Sequence, residues 1–226
     1  MDHQHQQCPR PHQARNSAFQ KCVPSDHSVC WCSVPVGPRC GFEFAWLVEA
    51  DTKFETPGVW KVNCLIPADK AAEIEEQLSG LLDRWKAQLK AAEPDTKFKL
   101  ANMPWSYEER DGKPVFVIKA KMRVGGLNKD NKQWSNRPPV LQNAKGQPMT
   151  EEEKQKVSKM GPGTEGQVFL RCSGYSGNFG VGIKIQPEAA IIYKHVEYSK
   201  SSTSYGFQVE ESTSEPATST SASVSS

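Results

Sequence analysis

Between Pro114 and Gly126 the chain reads PVFVIKAKMRVGG, and the alternation predicts an extended strand. Successive side chains of a strand point to opposite faces, so Phe116, Ile118, Ala120, Met122 and Val124 share one face. Val115, Val117, Lys119, Lys121 and Arg123 share the other. The first is a core face. The second ends in three cations spaced two residues apart, which repel one another unless water, acidic neighbours or an outside polyanion compensates them. Such a chain needs a sheet with one buried and one solvated side.

Other segments repeat the pattern. GFEFAWLVEA (41–50) is a strand candidate rich in aromatic and branched residues. GVWKVNCLIP puts Trp60, Val62, Cys64 and Ile66 on one face, and Val59, Lys61, Asn63 and Leu65 on the other, and Pro67 ends it. ADKAAEIEEQLSGLLDRWKAQLKAA changes period: Ile74, Leu78, Leu81, Leu82, Trp85 and Leu89 form a helical stripe, with acids early and bases late as the helix dipole favours. Pro94 stops that helix, expected over about 68–92. PVLQN is a short strand, and the Glu151–Glu153 run is the solvated start of a helical turn. EGQVFLRCSGY, FGVGIKIQ and AAIIYKHVEY give three closing strands, divided by turns at 176–178 and 187–188. Many short antiparallel strands with one inserted amphipathic helix predict a mainly β fold, a small closed antiparallel β-barrel capped by the helix.

The chain has 226 residues, enough for one core with tails. Residues 1–40 are rich in His, Gln, Pro and Cys and show neither period, so they are expected to be a disordered leader whose removal leaves the domain folded. Zinc is the rival reading there, with Cys22, Cys30, Cys32, Cys40 and His27 as ligands, but paired C-x2-C spacings are missing. Cys64 and Cys172 fall on apolar strand faces as small buried hydrophobes. Residues 41–200 form the domain. Residues 201–226 form a Ser/Thr-rich tail with only Glu210, Glu211 and Glu215 as charges, expected to be disordered. No run reaches the ~18 apolar residues of a membrane helix, and the N-terminus lacks the apolar core of a secretory signal, so a cytoplasmic protein is expected.

The net charge of +2 hides an asymmetry. From Gly112 to Lys145 there are eight Lys and Arg against one acid, Asp130. That stretch is either a solvated lysine-rich face or a surface for an anionic partner. Nonspecific binding of a single nucleic-acid strand needs such cations interleaved with flat aromatic platforms. Lys119, Lys121 and Arg123 supply charge, while Trp134, Tyr175 and Phe179 lie in Gly-rich or polar loops. For Trp134 the alternative is an anchor packed on the barrel. Phe179 begins an alternating run with Val181, Ile183 and Ile185, which favours the core. No H-x-E…C-x-x-C, G-x-x-x-x-G-K-[ST], H-E-x-x-H or G-x-S-x-G pattern occurs, which argues against an enzyme. His195 stands alone on a late strand. A virion β-barrel protein would account for the strands, but not for cations concentrated beside loop aromatics.

PGVWKVNCLIP before the helix, NMPW (102–105) before the basic strand, PPVLQNAKGQPM, GPGTEG, and CSGYSGNFGVGIKIQPEAAIIYKHVEY follow in an order that resembles the single-stranded DNA-binding proteins of tailed phages, the podophage type with an OB-fold. The resemblance covers about 42–198. It implies an OB-fold-like barrel whose groove tracks a single strand, with Tyr175 in the position of a base-stacking aromatic and Lys119, Lys121 and Arg123 on the basic strand. The full set of nucleic-acid-binding candidates is Lys61, Lys119, Lys121, Arg123, Lys132, Trp134, Arg137, Arg171, Tyr175, Phe179 and Lys184. The resemblance further implies a role in phage DNA replication, recombination and annealing in the cytoplasm of the infected host cell. Phage DNA polymerase and helicase, and a second copy of the chain, are the expected protein partners. No cofactor or metal is called for. A single-stranded RNA-binding OB module remains the alternative, and the tail departs from the strongly acidic, aromatic-ended tail frequent in the family.

Overall fold

The computed structural model describes residues 39–95, 97–128 and 130–198, together with the backbone of 32–35. The main sheet has eight strands: β1 (Cys32–Pro35), β2 (Cys40–Asp51), β3 (Val59–Pro67), β4 (Trp105–Arg110), β5 (Lys113–Arg123), β8 (Val140–Gln142), β9 (Glu165–Gly177) and β10 (Gly180–Lys194). Its hydrogen-bonded order is β4-β5-β3-β2-β9-β10-β8, with β1 added on β9. β6 (Gly125–Leu127) and β7 (Gln133–Ser135) form a separate hairpin that extends from the end of β5. Helix α1 (Ala72–Ala92) crosses between β3 and β4, and the short α2 (Glu151–Lys156) precedes β9.

The alternation of β3 and β5 sets the core. Trp60 pairs with Met122, Val62 with Ala120, Cys64 with Ile118 and Ile66 with Phe116, and all eight are buried. From α1 the stripe Ile74, Leu78, Leu81 and Leu82 is buried against them, as the 3.6-residue period requires. The helix is preceded by a 3-10 turn at Ala68–Lys70 and ends where the Glu93 amide donates to Leu89 O (2.8 Å), one residue before Pro94. Trp85 marks its contact with the β9–β10 hairpin. Its indole lies so close over Gly174 that a Cβ there would meet the ring at 2.3 Å, and its Nε1–H donates to Tyr175 O (3.1 Å).

Several features differ from the sequence expectation, among them Gly180–Lys194, which is one strand with a register shift at Pro187/Ala189 instead of two strands divided by a turn. The ladder is an open path rather than a closed ring, and β8 pairs with β10 in parallel. The gap between its ends is laced by the segment before β4: Val181 N–H donates to Lys99 O (2.8 Å), Ala101 N–H to Val181 O (2.9 Å) and Lys119 N–H to Pro104 O (2.7 Å). The helical turn expected at Glu151–Glu153 is present and opens on a complete capping box, with the Thr150 hydroxyl accepting from the Glu153 amide and the Glu153 carboxylate accepting from the Thr150 amide. Sheet structure also begins inside the stretch expected to lack it, since Cys32–Pro35 pairs antiparallel with Phe169–Cys172 and Cys40 is buried at the start of β2. The physical reason is an unpaired edge: β2 reaches only Glu165 and Gly166 of β9, leaving the ladder sites of Phe169–Cys172 on that side open. A four-residue strand beside prolines has too little period to be read. Residues 1–31 and 201–226 lie outside the described residues, as do three of the zinc candidates, Cys22, Cys30 and His27. Cys40, another of them, is buried and hydrogen-bonded with Cys64, which pushes the Cys64 thiol up.

Two truncations test the contribution of the leading strand. Removing residues 1–40 strips β1 and Cys40, whereas removing 1–31 spares both. The shorter chain should be less stable by about 1–3 kcal/mol, read from the urea midpoints. Equal midpoints would show that β1 adds nothing.

Candidate nucleic-acid interface

In an antiparallel ladder, residues directly opposite one another share a face. The β3–β5 register sets Val59 against Arg123, Lys61 against Lys121 and Asn63 against Lys119, so the four cations stand together on the outer side of the sheet. The charge row meets acids supplied by neighbouring segments. Lys119 Nζ lies 2.8 Å from Glu108 Oε1 on β4, and Lys61 Nζ 2.5 Å from Asp51 Oδ2 at the end of β2. Lys121 and Arg123 both hold Glu55, the Arg123 Nε–H donating to Oε2 at 2.9 Å. The acids are held ionised. Lys119, then Ser106 and Arg110, lower Glu108 to about 2. Lys121 first and Arg123 after it hold Glu55 below the usual carboxylate range, as Lys61 does for Asp51.

These pairs do not lock the row away. The side chains of Lys119, Lys121 and Arg123 are 52%, 56% and 65% exposed, and exposed ion pairs contribute only ~0–1 kcal/mol. A phosphate can therefore exchange for a carboxylate at little cost.

β10 brings the second set of candidates alongside. Tyr175 is opposite Gly182, Ser173 opposite Lys184 and Arg171 opposite Gln186, so Arg171, Tyr175 and Lys184 share one face of the β9–β10 hairpin. Arg171 is paired with Glu188 (2.6 Å). The Lys184 ammonium has its pKa lowered, first by partial burial and then by the Arg123 charge. β10 packs against β5, and Lys184 lies within reach of the Arg123 charge.

Two aromatic rings lie down on glycines. A Cβ at Gly182 would stand 2.7 Å from Tyr175 Oη and 2.8 Å from its Cζ, and one at Gly126 would stand 3.2 Å from Trp134 Cζ2. Each ring thus covers a backbone position that has no side chain and keeps 37% of its residue surface exposed. Trp134 packs against Gly126 while staying partly exposed. Lys132 and Arg137 flank Trp134 on the β6–β7 hairpin and just beyond it, and both are exposed. Phe179 is not in the core: it occupies the β9–β10 turn and is 87% exposed, because the chain reverses at Asn178–Phe179 and alternation resumes only at Gly180.

Sequence reasoning missed several groups here. Glu55 and Glu108 are single acids that no motif marks. Phe44 and Trp46 also point outward, 64% and 42% exposed, with Trp46 opposite Lys61. A bulge between Glu43 and Trp46, with Phe44 at φ 50°, shifts the alternation so that Ala45 and Leu47 turn inward instead. Phe54, 80% exposed, follows on the β2–β3 loop with the Lys53 ammonium 5.1 Å from its ring centroid.

No protein-family pattern and no curated protein matches this chain. Solved structures do share its fold. The gp2.5 single-stranded DNA-binding protein of bacteriophage T7 superposes with a TM-score of 0.59 at 18% identity, over 84% of this chain and 100% of that one. The single-stranded DNA-binding protein of bacteriophage Enc34, solved in complex with single-stranded DNA, superposes with a TM-score of 0.53 at 12% identity, over 73% of this chain and 88% of that one. A C-terminal truncation of the Enc34 protein gives 0.54 at 12% identity, over 81% and 100%. The architecture is mainly β and OB-fold-like, the class that the order of the sequence motifs implied. No helix among the described residues is long and apolar enough to cross a membrane.

The ionisation of Glu108 has a measurable consequence. A carboxyl lowered from 4.5 to about 2 on folding stabilises the folded state above pH ~4.5, and that contribution is lost as the pH falls towards 2. Asp51 and Glu55 act in the same direction. Between pH 4.5 and 2 the wild-type denaturation midpoint should fall more steeply than that of Glu108→Gln. Parallel curves would contradict the pairing.

Proposed function

We propose that this protein binds single-stranded DNA with little sequence preference, as a nonenzymatic coat for exposed strands during phage DNA replication, recombination and annealing. The observation that carries the reading is the row of Lys61, Lys119, Lys121 and Arg123 on the paired strands β3 and β5, with β10, the strand of Lys184, packed against β5. Cations beside half-exposed rings supply the two contacts a single strand offers, phosphates along its backbone and π-faces on its bases. The shared fold with the T7 and Enc34 proteins supports the same reading. The protein would act in the cytoplasm of the infected host cell. Phage polymerase and helicase are its proposed partners, and a homodimer its proposed assembly.

Titration against single- and double-stranded DNA of matched length tests it. Single strands should bind more tightly, with a log–log salt slope of about −3 to −4 if ~4–6 phosphates are neutralised. A slope near zero, or duplex binding of equal strength, would refute the reading, and tighter binding of RNA would favour an RNA-binding module. Variants separate the two contributions. Replacing Lys119, Lys121 and Arg123 together by Ser should weaken binding and flatten the slope. Tyr175→Ala should cost ~1–3 kcal/mol of binding with the slope nearly unchanged, since stacking releases few ions. Wild-type affinity and slope in a folded triple variant would show that the cationic strand faces away from DNA.

A further inference from the structure

The loop between β2 and β3 lies directly over part of this row. Both of its feet are fixed. At one, Asp51 accepts the Lys53 amide (3.0 Å) and the Lys61 ammonium. At the other, Gly58 O accepts the Val124 amide (2.9 Å), and Gly58 has φ 127°, where a Cβ would also crowd Ala50 and Thr52 at 3.1 Å. Between the feet, Glu55 reaches across to β5. Its two carboxylate oxygens are divided between two cations, Oε1 to Lys121 Nζ and Oε2 to Arg123 Nε. The side chain is 25% exposed, well below those of its two partners.

A phosphodiester has the same recognition pattern, two terminal oxygens sharing one negative charge. The site is also short of negative charge. Lys121 and Arg123 share the Glu55 carboxylate, two cations on one negative charge. Glu55 belongs to no strand and lies on the β2–β3 loop.

We propose that Lys121 and Arg123 form a single phosphodiester-binding position that Glu55 fills in the free protein, and that the phosphate of a bound strand displaces the carboxylate. The inference rests on the single-stranded DNA reading above and goes beyond it, making the β2–β3 loop an internal competitor for the groove. Its effect is to lower affinity for isolated anions, which cannot offset the displaced ion pair, more than affinity for a long strand held at many points.

Glu55→Gln keeps the size of the side chain and removes its charge. Titrated with oligothymidylate at ~0.15 M salt, it should bind about 3- to 10-fold more tightly than wild type, and its salt slope should steepen by about 0.7–1.4 as one or two more counterions are released. If wild type binds and the folded variant binds no more tightly with the same slope, the inference is wrong and the function stands. Weaker binding by the variant would also overturn it, since Glu55 would then be positioning the two cations for DNA. If wild type does not bind single strands, the functional reading fails, and the position is judged with tripolyphosphate. A larger thermal shift for Glu55→Gln than for wild type would support it, and equal shifts would overturn it. Should the variant not fold, the wild-type protein carries the test through carbon-detected titration of the Glu55 carboxyl. Its pKa should rise towards the ordinary glutamate value in the DNA complex, and an unchanged value would refute displacement.

Discussion

The nine-residue antiparallel register between β3 and β5 is the constraint on which the rest of the molecule depends. It stacks Trp60, Val62, Cys64 and Ile66 beside Met122, Ala120, Ile118 and Phe116 on the inside, and Lys61 and Asn63 beside Lys121 and Lys119 on the outside. Because strand period is two, a slip of one residue in either strand would oppose its cations to the partner's core face. Three unpaired ammonium or guanidinium groups in an apolar core would cost far more than a small domain has in reserve. The register that gives a core is therefore the one that displays the charge.

That display is extended by the way the sheet ends meet. The ladder stops at β4 on one side and β8 on the other, and segment Lys99–Pro104 bridges β10 to β5 by backbone hydrogen bonds. β10, which carries Lys184, is thereby packed against β5, and Tyr175 packs against Gly182 at the start of β10. The acids along the row keep the free protein from carrying uncompensated charge. Since Lys119, Lys121 and Arg123 are more than half exposed, their pairs are weak enough to exchange, whereas Lys61 is held on the largely buried Asp51.

Much of this was legible in the residues and some could not be. α1, β3 and β5 have apolar stripes long enough to fix both element and face, and the motifs in order pointed to the fold. The outward turn of Phe44 and Trp46 was hidden, because strict alternation from Phe42 would send both inward, and no glycine or proline marks the bulge that reverses them. Phe179 shows the opposite error, a period extended one step too far into a turn. β1 is too short to carry a pattern, and β8, legible as a short strand, hid only its parallel pairing; both add to edges that long neighbours leave unpaired. Glu55 was invisible for another reason: its role depends on a loop folding back over a strand more than sixty residues later in the chain, which local pattern does not encode.

The central claim is that the outer faces of β3, β5 and the β9–β10 hairpin form one surface for a single strand. Mapping of amide chemical-shift changes on addition of oligothymidylate tests it most directly. The account predicts that the largest changes fall on Lys61, Lys119, Lys121 and Arg123, on Tyr175 and Lys184, and on the β6–β7 hairpin around Trp134, with the solvent side of α1 unchanged. Changes concentrated on α1 or on the β8 edge, with the β5 row silent, would contradict it.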